Sequence, residues 1–450
     1  MSKPLIFVET YGCQQNEADS EKILGTAISK GYEKAERKQD ADLIIINTCA
    51  IREHAELRAL SGAGQLKHLK QAKPSLLIGM CGCMVQQEHR MEDIKKRYPY
   101  VDFVFGTNKL SSFADILDEV KASEKRGFFV ESYQENPGDI CEGMPVCRSS
   151  SSKAYVSVMY GCNNFCSYCV VPYVRGRERS RKCADVINEV KTLTENGYRE
   201  ITLLGQNVNS YGKDTGEGVN FSELIRRLCA LDGDFVLKFM TSHPKDASHE
   251  LIDVIADNPK CAKQFHLPLQ SGSNSILKAM NRKYTREKYL ETVEYMRYRI
   301  PDIVLTSDII VGFPGETDRD FEDTLDIMRT VGFDNVYSFI YSMRRGTPAA
   351  QMTNQISDEI KKERMSRLLE LQCEISTQKN QALVGKVLKG VIEGESKSNP
   401  KKWSAHSTSG KLIHFDRPEN PDEYLGKFAD IRITEAKAIM LYGEIEKIYN

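Results

Sequence analysis

The most informative segment of this chain is YGCNNFCSYC at residues 160–169. It places Cys162, Cys166 and Cys169 within eight residues. Three thiolates can bind three irons of a cubane 4Fe–4S cluster and leave the fourth iron open. A structural zinc site requires four protein ligands, and no second close pair of cysteines follows Cys169. The spacing predicts that S-adenosylmethionine (SAM) binds the open iron, where one electron cleaves it to a 5′-deoxyadenosyl radical.

The length and composition predict a cytoplasmic protein of several domains. A chain of 450 residues is too long for one compact core. No apolar run approaches the ~20 residues that span a bilayer, so no membrane partner is expected. An odd number of cysteines, 13, without a secretory signal favours a reducing compartment and metal ligation. The net charge of −1 implies that any basic surface for nucleic acid is local.

The N-terminal third alternates β-branched runs with helical patterns, which predicts an open parallel α/β domain. Its expected strands cover residues 5–9, 43–47, 76–80 and 103–105. The first three are followed closely by Cys13, by Cys49, and by Cys81 and Cys83. Because ligands bind at the carboxyl ends of parallel strands, we expect a second three-cysteine cluster there. Spacing alone leaves the choice between Cys81 and Cys83 open.

A second series of βα units predicts a central partial (β/α)6 barrel. Its strands are expected at residues 154–160, 200–204, 235–240, 264–267, 303–310 and 335–341. The segments after these strands are polar or glycine-rich, and they belong to the barrel face on which active sites are built. The cofactor-binding or site-lining candidates on this face are Tyr168, Gly205, Gln206, Ser242, His243, His266, Gln270, Gly312 and Gly315.

The domains are predicted at residues 1–125, 153–380 and 381–450, with a linker at 126–152 that is rich in Gly, Pro, Ser and Arg. The last domain has short strand patterns at residues 386–393, 403–407, 412–415, 429–435 and 441–448, typical of a small β-barrel. The linker cysteines, Cys141 and Cys147, have no partner pair nearby in sequence and are interpreted as incidental.

Two short basic segments predict RNA contacts. The first follows the cluster cysteines and contains Arg175, Arg177 and Arg179; the alternative is a solvated charged face. In the second, Lys401 and Lys402 precede the only tryptophan, Trp403. Bases commonly stack on an aromatic side chain beside basic residues. A plain β domain is the alternative for this segment.

Along essentially its whole length the chain resembles the radical-SAM methylthiotransferases. The resemblance is carried by the segments TYGCQ at 10–14, NTCAIR at 47–52, GCNNFCSYC at 161–169, VRGRE at 174–178 and LGQNVNSY at 204–211. Within the family it resembles the branch that acts on N6-dimethylallyladenosine in tRNA. The branches acting on threonylcarbamoyladenosine or a ribosomal-protein aspartate tend to read LGCK or LGCP at the first segment. The chain departs from the family at Gln15, usually Met, and in the additional Cys81.

The resemblance implies a C-terminal TRAM domain that binds RNA, and two 4Fe–4S clusters. It assigns the second, auxiliary cluster to Cys13, Cys49 and Cys83, and leaves Cys81 as a spare thiol. The implied reaction adds a methylthio group to C2 of dimethylallyladenosine next to the anticodon, with two SAM per turnover. The radical abstracts hydrogen from C2, while sulfur carried by the auxiliary cluster is methylated by a second SAM. The implied partners are the tRNA anticodon stem-loop and an external low-potential electron donor.

Three alternatives remain at this point. The first is a methylthiotransferase that acts on threonylcarbamoyladenosine in tRNA. The second is a non-catalytic RNA-binding protein with structural zinc. The third is a radical-SAM enzyme whose second cluster only transfers electrons.

Overall fold

The computed structural model describes residues 3–123, 129–131, 140–396 and 399–449. These residues form an N-terminal α/β domain, a central partial barrel and a C-terminal closed β-barrel. The predicted fold class is confirmed. Across the described ranges, no helix is long and apolar enough to cross a membrane.

The N-terminal domain is a parallel sheet of six strands in the order β2-β1-β3-β4-β5-β6. The strands are β1 (Leu5–Tyr11), β2 (Glu33–Lys34), β3 (Leu43–Thr48), β4 (Leu77–Gly82), β5 (Phe103–Phe105) and β6 (Phe129–Glu131). The helices are α1 (Gln14–Ser29), α2 (Glu53–Ala72), α3 (Glu88–Arg97) and α4 (Phe113–Ala122). Strand β3, LIIINT, is buried at every position, as expected when helices cover both faces of a parallel sheet. Strands β2 and β6 were not predicted, and β6 lies within the range predicted as linker.

The central domain contains six parallel strands, the predicted number. They are β7 (Lys153–Ser157), β10 (Glu200–Leu204), β11 (Val236–Phe239), β12 (Gln264–His266), β13 (Val304–Val311) and β14 (Asn335–Ile340). Sheets β7-β10-β11 and β12-β13-β14 are joined by a parallel bridge between Leu237 and Cys261. The predicted first strand is interrupted at Val158, after which β8 (Met159–Tyr160) pairs antiparallel with β9 (Arg179–Ser180).

Helices cover the outside of this partial barrel and bury one continuous apolar core. They are α6 (Cys183–Glu195), α7 (Phe221–Cys229), α8 (His249–Asp257), α10 (Arg286–Arg299) and α11 (Asp318–Val331). Two shorter helices, α5 (Val171–Arg175) and α9 (Asn274–Ala279), contribute to other apolar clusters. Helix α12 (Asp358–Gln381) packs against β14 and leads into the C-terminal domain.

The C-terminal domain is a closed barrel in the order β15-β16-β17-β19-β18. Its strands are β15 (Val387–Ser396), β16 (Asn399–Ser407), β17 (Leu412–Asp416), β18 (Phe428–Ala436) and β19 (Leu441–Tyr449). Val391 and Phe428 pack against Val236 and Ala262, which lie where β11 and β12 begin. The small barrel therefore covers the amino ends of the central strands, opposite the face that was predicted to carry the site.

Candidate functional site

Three N-terminal cysteines meet at one edge of the first sheet. In the register of β1, β3 and β4, Tyr11 pairs with Thr48 and Thr48 pairs with Gly82. Because these paired residues end their strands, the cysteines at positions 13, 49 and 83 emerge side by side. The thiols of Cys13 and Cys49 share a hydrogen bond that lowers the pKa of Cys13 to about 6, which favours its thiolate at neutral pH.

Two glycines allow the cysteine-bearing loops to approach each other. A Cβ on Gly12 would lie 3.0 Å from Cβ of Cys49. Gly82 has a φ of +97°, and a Cβ there would lie 2.4 Å from the carbonyl oxygen of Thr48. A side chain at either glycine would push the loops apart, so both positions require glycine.

Spacing did not decide whether Cys81 or Cys83 is the third cysteine of this group, and the structure distinguishes them. Cys83 interacts electrostatically with both Cys13 and Cys49. Cys81 is in β4 and packs in an apolar cluster that contains Phe103 and Phe105. Burial raises the pKa of Cys81 well above its usual value. The geometry therefore favours Cys83 as the third ligand.

Arg175 connects the N-terminal cysteines to the barrel domain. Its Nε donates to Sγ of Cys83 at 3.2 Å, and a second guanidinium nitrogen donates to Asp19 at 2.8 Å. Gln15 donates to the same carboxylate at 3.0 Å and to Ser157 at 2.9 Å. Arg175 is buried, so in this conformation it cannot make the predicted phosphate contact. The position of Arg175 in sequence beside other arginines suggested an exposed basic segment. In the structure its side chain instead contacts Cys83 and Asp19 of the N-terminal domain.

Cys162, Cys166 and Cys169 lie in the loop between β8 and α5. The amide of Cys162 donates to the carbonyl of Gly176 at 3.1 Å, and that of Cys169 donates to Cys166 at 3.0 Å. The three thiols interact electrostatically, and burial raises the pKa of Cys162 to about 11 and that of Cys169 to about 12. Both thiols are protonated at neutral pH, so a cluster that binds here displaces protons.

The cysteine loop is held by a segment that the sequence did not indicate. Arg282 donates to Sγ of Cys166 at 3.3 Å and to the carbonyl of Pro268 at 2.9 Å. Asn281 donates to the carbonyl of Phe165 at 2.9 Å. The contacts with Cys166 and Phe165 each join residues 116 positions apart, and no local sequence motif indicates them.

Strained backbone conformations collect around the same loop. Non-glycine residues with positive φ, where a Cβ is disfavoured, often mark functional sites. Across the described ranges they are Phe165, Thr241, Gln270, Asn281 and Lys283. Thr241 and Gln270 follow β11 and β12, at the predicted face of the barrel.

The predicted loop residues lie on this face, and two of them are next to the cysteine loop. Oε1 of Gln206, which follows Gly205, accepts from the amide of Gly161 at 2.5 Å. Tyr168, within the loop, packs against the apolar cluster around Phe313.

Further along the face, the amides of two glycines have partners from the chain. That of Gly312 donates to Glu316 at 2.7 Å, and that of Gly315 donates to the carbonyl of Asn354 at 2.8 Å. Burial raises the pKa of Glu316.

Two buried polar atoms in the loops after β10 and β11 have no hydrogen-bond partner within the described residues. They are Nε2 of His243 and Nδ2 of Asn209, whose Oδ1 accepts from Ser242 at 3.2 Å. Burial lowers the pKa of His243 to about 2, so the ring is neutral. Nδ1 of His243 accepts from the amide of Lys245, which leaves Nε2 as a buried donor. Together with the three thiols, these orphaned groups fit a polar cofactor beside an iron–sulfur cluster. His266 instead contacts Thr306 at 3.0 Å.

Helix α5 joins the two cysteine sites. It begins two residues after Cys169 and ends at Arg175, which contacts Cys83. Val170 and Val174 pack with Ala50 and Cys83. Five helical residues span about 7 Å, so the two thiol groups lie at opposite ends of a short rigid spacer.

The other basic candidates differ in exposure. Arg177 is exposed, and its guanidinium lies 4.3 Å from the centroid of the Phe165 ring. Arg179 donates to backbone carbonyls, including that of Arg177 at 3.0 Å. In the C-terminal barrel Lys401 is exposed and Lys402 pairs with Asp416 at 2.7 Å.

Trp403 does not have the position that base stacking requires. Its side chain is 5% exposed and belongs to the core of the small barrel. Successive strand residues face opposite sides, so the residue after Lys402 points inward. Trp403 lies in a strand, as predicted, but its ring faces the core and not the surface that the neighbouring lysines suggested.

Two family models match parts of the chain. Residues 156–328 match the Radical SAM superfamily, and residues 5–106 match the Uncharacterized protein family UPF0004. The fold resembles the radical S-adenosylmethionine methyltransferase TsrM from Kitasatospora setae, with a TM-score of 0.57 at 13% identity, covering 78% of this chain and 77% of that one. It also resembles the cobalamin-dependent radical enzyme OxsB, with a TM-score of 0.52 at 11% identity, covering 82% and 56%. An iron–sulfur cluster and SAM are therefore the cofactors of this chain.

Relatives of high identity cover nearly the whole chain. A protein named tRNA-2-methylthio-N(6)-dimethylallyladenosine synthase from Alkaliphilus oremlandii is 50% identical over 97% of this chain and 92% of its own length. Proteins of that name from Thermoanaerobacter pseudethanolicus and Clostridium botulinum are 49% and 48% identical, over 98% and 97% of this chain and 92% and 96% of theirs. The resemblance inferred from the sequence is confirmed: the chain belongs to the tRNA-2-methylthio-N(6)-dimethylallyladenosine synthase family of radical-SAM methylthiotransferases.

Proposed function

We propose that the protein adds a methylthio group to C2 of N6-dimethylallyladenosine next to the anticodon of tRNA, with two 4Fe–4S clusters and two SAM per turnover. The names of its relatives support the reaction, and one structural observation carries the site. Helix α5 holds two groups of three cysteines at its two ends, through Cys169 on one side and Arg175 with Cys83 on the other. A reaction that combines radical chemistry with sulfur transfer needs such a pair of sites close together.

The residues that would hold the cofactors divide between the two ends of α5. Cys162, Cys166 and Cys169 would bind the SAM cluster, and Cys13, Cys49 and Cys83 would bind the auxiliary cluster. When bound, these cofactors would deliver the electron that cleaves SAM and carry the sulfur that is transferred. The protein holds Cys166 through Arg282 and Cys83 through Arg175, and each guanidinium offsets thiolate charge in a buried space.

Polar residues on the barrel face would orient SAM. Neutral His243 offers Nε2–H, and Asn209 offers its amide nitrogen, to the polar groups of this cofactor. Gly205, Gln206, Ser242, Gln270, Gly312 and Gly315 complete the proposed pocket, with Tyr168 beside the cluster.

Exposed apolar side chains suit the dimethylallyl group of the substrate. Ile51 is 49% exposed, and its amide donates to Sγ of Cys49 at 3.3 Å. Met343 is 57% exposed, and its neighbour Arg344 donates to the carbonyl of Ile51 at 3.0 Å. We call these two exposed side chains the apolar seam; Ile51 lies beside auxiliary Cys49, where the modified base would have to enter.

The RNA would be bound as an anticodon stem-loop, because its loop bases are able to leave the stack. Exposed Arg177 and Lys401 support phosphate contacts, with Lys402 and Arg179 nearby in sequence. An external low-potential donor would reduce the SAM cluster. We assign residues 1–125 to the methylthiotransferase domain, 153–380 to the radical-SAM domain and 381–450 to the TRAM domain, in a cytoplasmic protein.

Nucleoside mass spectrometry tests this proposal. A bacterial strain that lacks its own enzyme of this family accumulates dimethylallyladenosine in tRNA, and this chain is expected to restore the methylthio derivative. The matched control carries Ala at Cys162, Cys166 and Cys169 and is expected to restore none. Absence of the methylthio derivative with a folded, cluster-loaded wild-type protein would reject the proposed reaction.

A further inference from the structure

Helix α5 exposes a single side chain. Val171, Pro172, Val174 and Arg175 are buried, whereas Tyr173 is 54% exposed. Of the buried residues, Val174 and Arg175 contact the N-terminal domain at Cys83. Tyr173 therefore presents an aromatic ring to solvent on the spacer between the two cysteine sites.

The ring of Tyr173 is held in place by the cysteine loop. Phe165 meets it edge to face, with ring centroids 6.1 Å apart and an angle of 90° between the planes. Phe165 itself has a φ of +49°, a conformation that costs free energy for any residue with a Cβ. Asn281 fixes the carbonyl of Phe165 at 2.9 Å. The loop thus adopts a strained conformation that places an aromatic edge against Tyr173.

A cation lies beside this aromatic pair. The guanidinium of Arg177 is over the Phe165 ring at 4.3 Å, and Arg177 is exposed. It forms no ion pair with the residues that the structure describes. An exposed ring next to an arginine free of carboxylate partners matches the pattern by which proteins hold single-stranded nucleic acid, with base stacking on the ring and phosphate on the cation.

We propose that Tyr173 is a stacking platform for an unpaired nucleobase of the substrate RNA, and that Arg177 binds the phosphate attached to it. This inference rests on the proposed function and deepens it, because it names the residues that position the RNA loop between the two cysteine sites. Tyr173 acts on substrate position, while the cofactors perform the chemistry. The interaction uses a face of the Tyr173 ring, because stacking joins the π-faces of ring and base.

Binding of tRNA carrying dimethylallyladenosine to the cluster-loaded protein, measured by fluorescence anisotropy at one salt concentration, tests the platform. Tyr173→Leu and Tyr173→Gln remove the ring and are expected to raise Kd roughly 5- to 150-fold. Tyr173→Phe keeps the ring face and is expected to retain wild-type affinity. Tyr298→Leu is the matched control, because Tyr298 on α10 is 79% exposed and lies outside the site. Iron content and thermal unfolding establish that each variant is folded. Because two different side chains replace the ring, the result does not depend on the properties of leucine or glutamine alone.

The role of Arg177 is measured by the dependence of binding on salt. Arg177→Gln removes one phosphate contact and is expected to reduce the slope of log Kd against log salt by about one. Tyr173→Leu is expected to leave that slope unchanged, because stacking releases no counterions.

Three results would overturn the inference. Wild-type affinity in both ring-less variants excludes a stacking role, and equal weakening in Tyr173→Phe shows that the hydroxyl, not the ring, makes the contact. Unchanged RNA affinity together with slower reduction of the SAM cluster by a low-potential protein electron donor would assign the surface to that donor. Binding is measured without turnover, so this test does not depend on the reaction. If the wild-type protein binds tRNA but does not methylthiolate it, the proposed function is rejected while the binding test still decides the role of Tyr173.

Discussion

Nε of Arg175 in the barrel domain donates to Sγ of Cys83 in the N-terminal domain at 3.2 Å. The same guanidinium forms an ion pair with Asp19 at 2.8 Å, and both side chains are buried. Proximity to Cys83 and Asp19 raises the pKa of Arg175 well above its usual value although burial opposes this, so the guanidinium stays charged. One side chain therefore joins the two domains, neutralises a buried carboxylate and orients an auxiliary cysteine.

Removing this guanidinium is expected to weaken both stability and the auxiliary site. Arg175→Met leaves Asp19 buried without its cation, which costs ~3–5 kcal/mol. Thermal unfolding should show this loss, and iron analysis should show less iron at the auxiliary site. Arg319→Met, at an exposed arginine, is the control and should match the wild type. The double variant Arg175→Met, Asp19→Asn should recover part of the stability; failure to do so contradicts the ion-pair explanation.

Replacing the two groups of cysteines separately is expected to divide the activity. Ala at Cys162, Cys166 and Cys169 should remove one cluster and all SAM cleavage. Ala at Cys13, Cys49 and Cys83 should remove the other cluster and methylthio transfer but leave SAM cleavage. Mössbauer spectra with iron and zinc analysis measure the clusters, and Cys373→Ala, at an exposed cysteine, is the control. Two clusters in the second triple variant would refute the auxiliary-site assignment, and zinc in place of iron would favour the binding-protein alternative.

The sequence was sufficient for the fold class because hydrophobic periodicity locates most strands and helices. It did not indicate the short edge strands β2 and β6. Cysteines at three strand ends could be predicted to converge, since parallel strands align their carboxyl ends. The sequence could not supply Arg282 or the role of Arg175, because both depend on contacts between distant segments. Trp403 shows the opposite error: adjacency to lysines suggested an exposed ring, whereas the pleat of the strand turns it into the core.

The lysines of the C-terminal barrel are expected to contribute to RNA affinity without Trp403. Deleting the domain would uncover Val236 and Ala262 on the central barrel, so point variants are the cleaner test. Lys401→Gln with Lys402→Gln should weaken tRNA binding and reduce its salt dependence by up to about two in slope. Trp403→Phe, which keeps an apolar core side chain, should leave that slope unchanged. Equal binding by the double lysine variant and the wild type would exclude these lysines from the RNA surface.

A buried ion pair is expected to maintain the glycine loop of the proposed SAM pocket. Glu316 accepts from the amide of Gly312 at 2.7 Å and pairs with Arg364 at 2.8 Å, and both side chains are buried. Arg364→Met leaves the carboxylate unpaired and should cost ~3–5 kcal/mol in unfolding experiments. SAM affinity, measured by calorimetry, should fall as the loop loosens. Arg367→Met, at an exposed arginine on the same helix, is the control, and equal stability of the two variants would contradict this role.

Substrate preference is the last prediction, and the apolar seam of Ile51 and Met343 provides its physical basis. Burying a five-carbon prenyl group contributes up to a few kcal/mol at ~25 cal/mol per Å² of apolar surface. Dimethylallyl tRNA should therefore be preferred over unmodified tRNA by roughly one to two powers of ten in kcat/KM.

A threonylcarbamoyl group would bring a carboxylate to this seam, at a desolvation cost. Arg344 is already engaged by the carbonyl of Ile51 and by Glu56, so it does not offer that carboxylate a free cation. Mass spectrometry of tRNAs carrying each modification, or neither, measures the preference. Met343→Gln should reduce the preference for dimethylallyl tRNA, because a polar side chain lowers the free energy gained when the prenyl group is buried. Preferential methylthiolation of threonylcarbamoyl tRNA by the wild type would assign the chain to the other branch of the family.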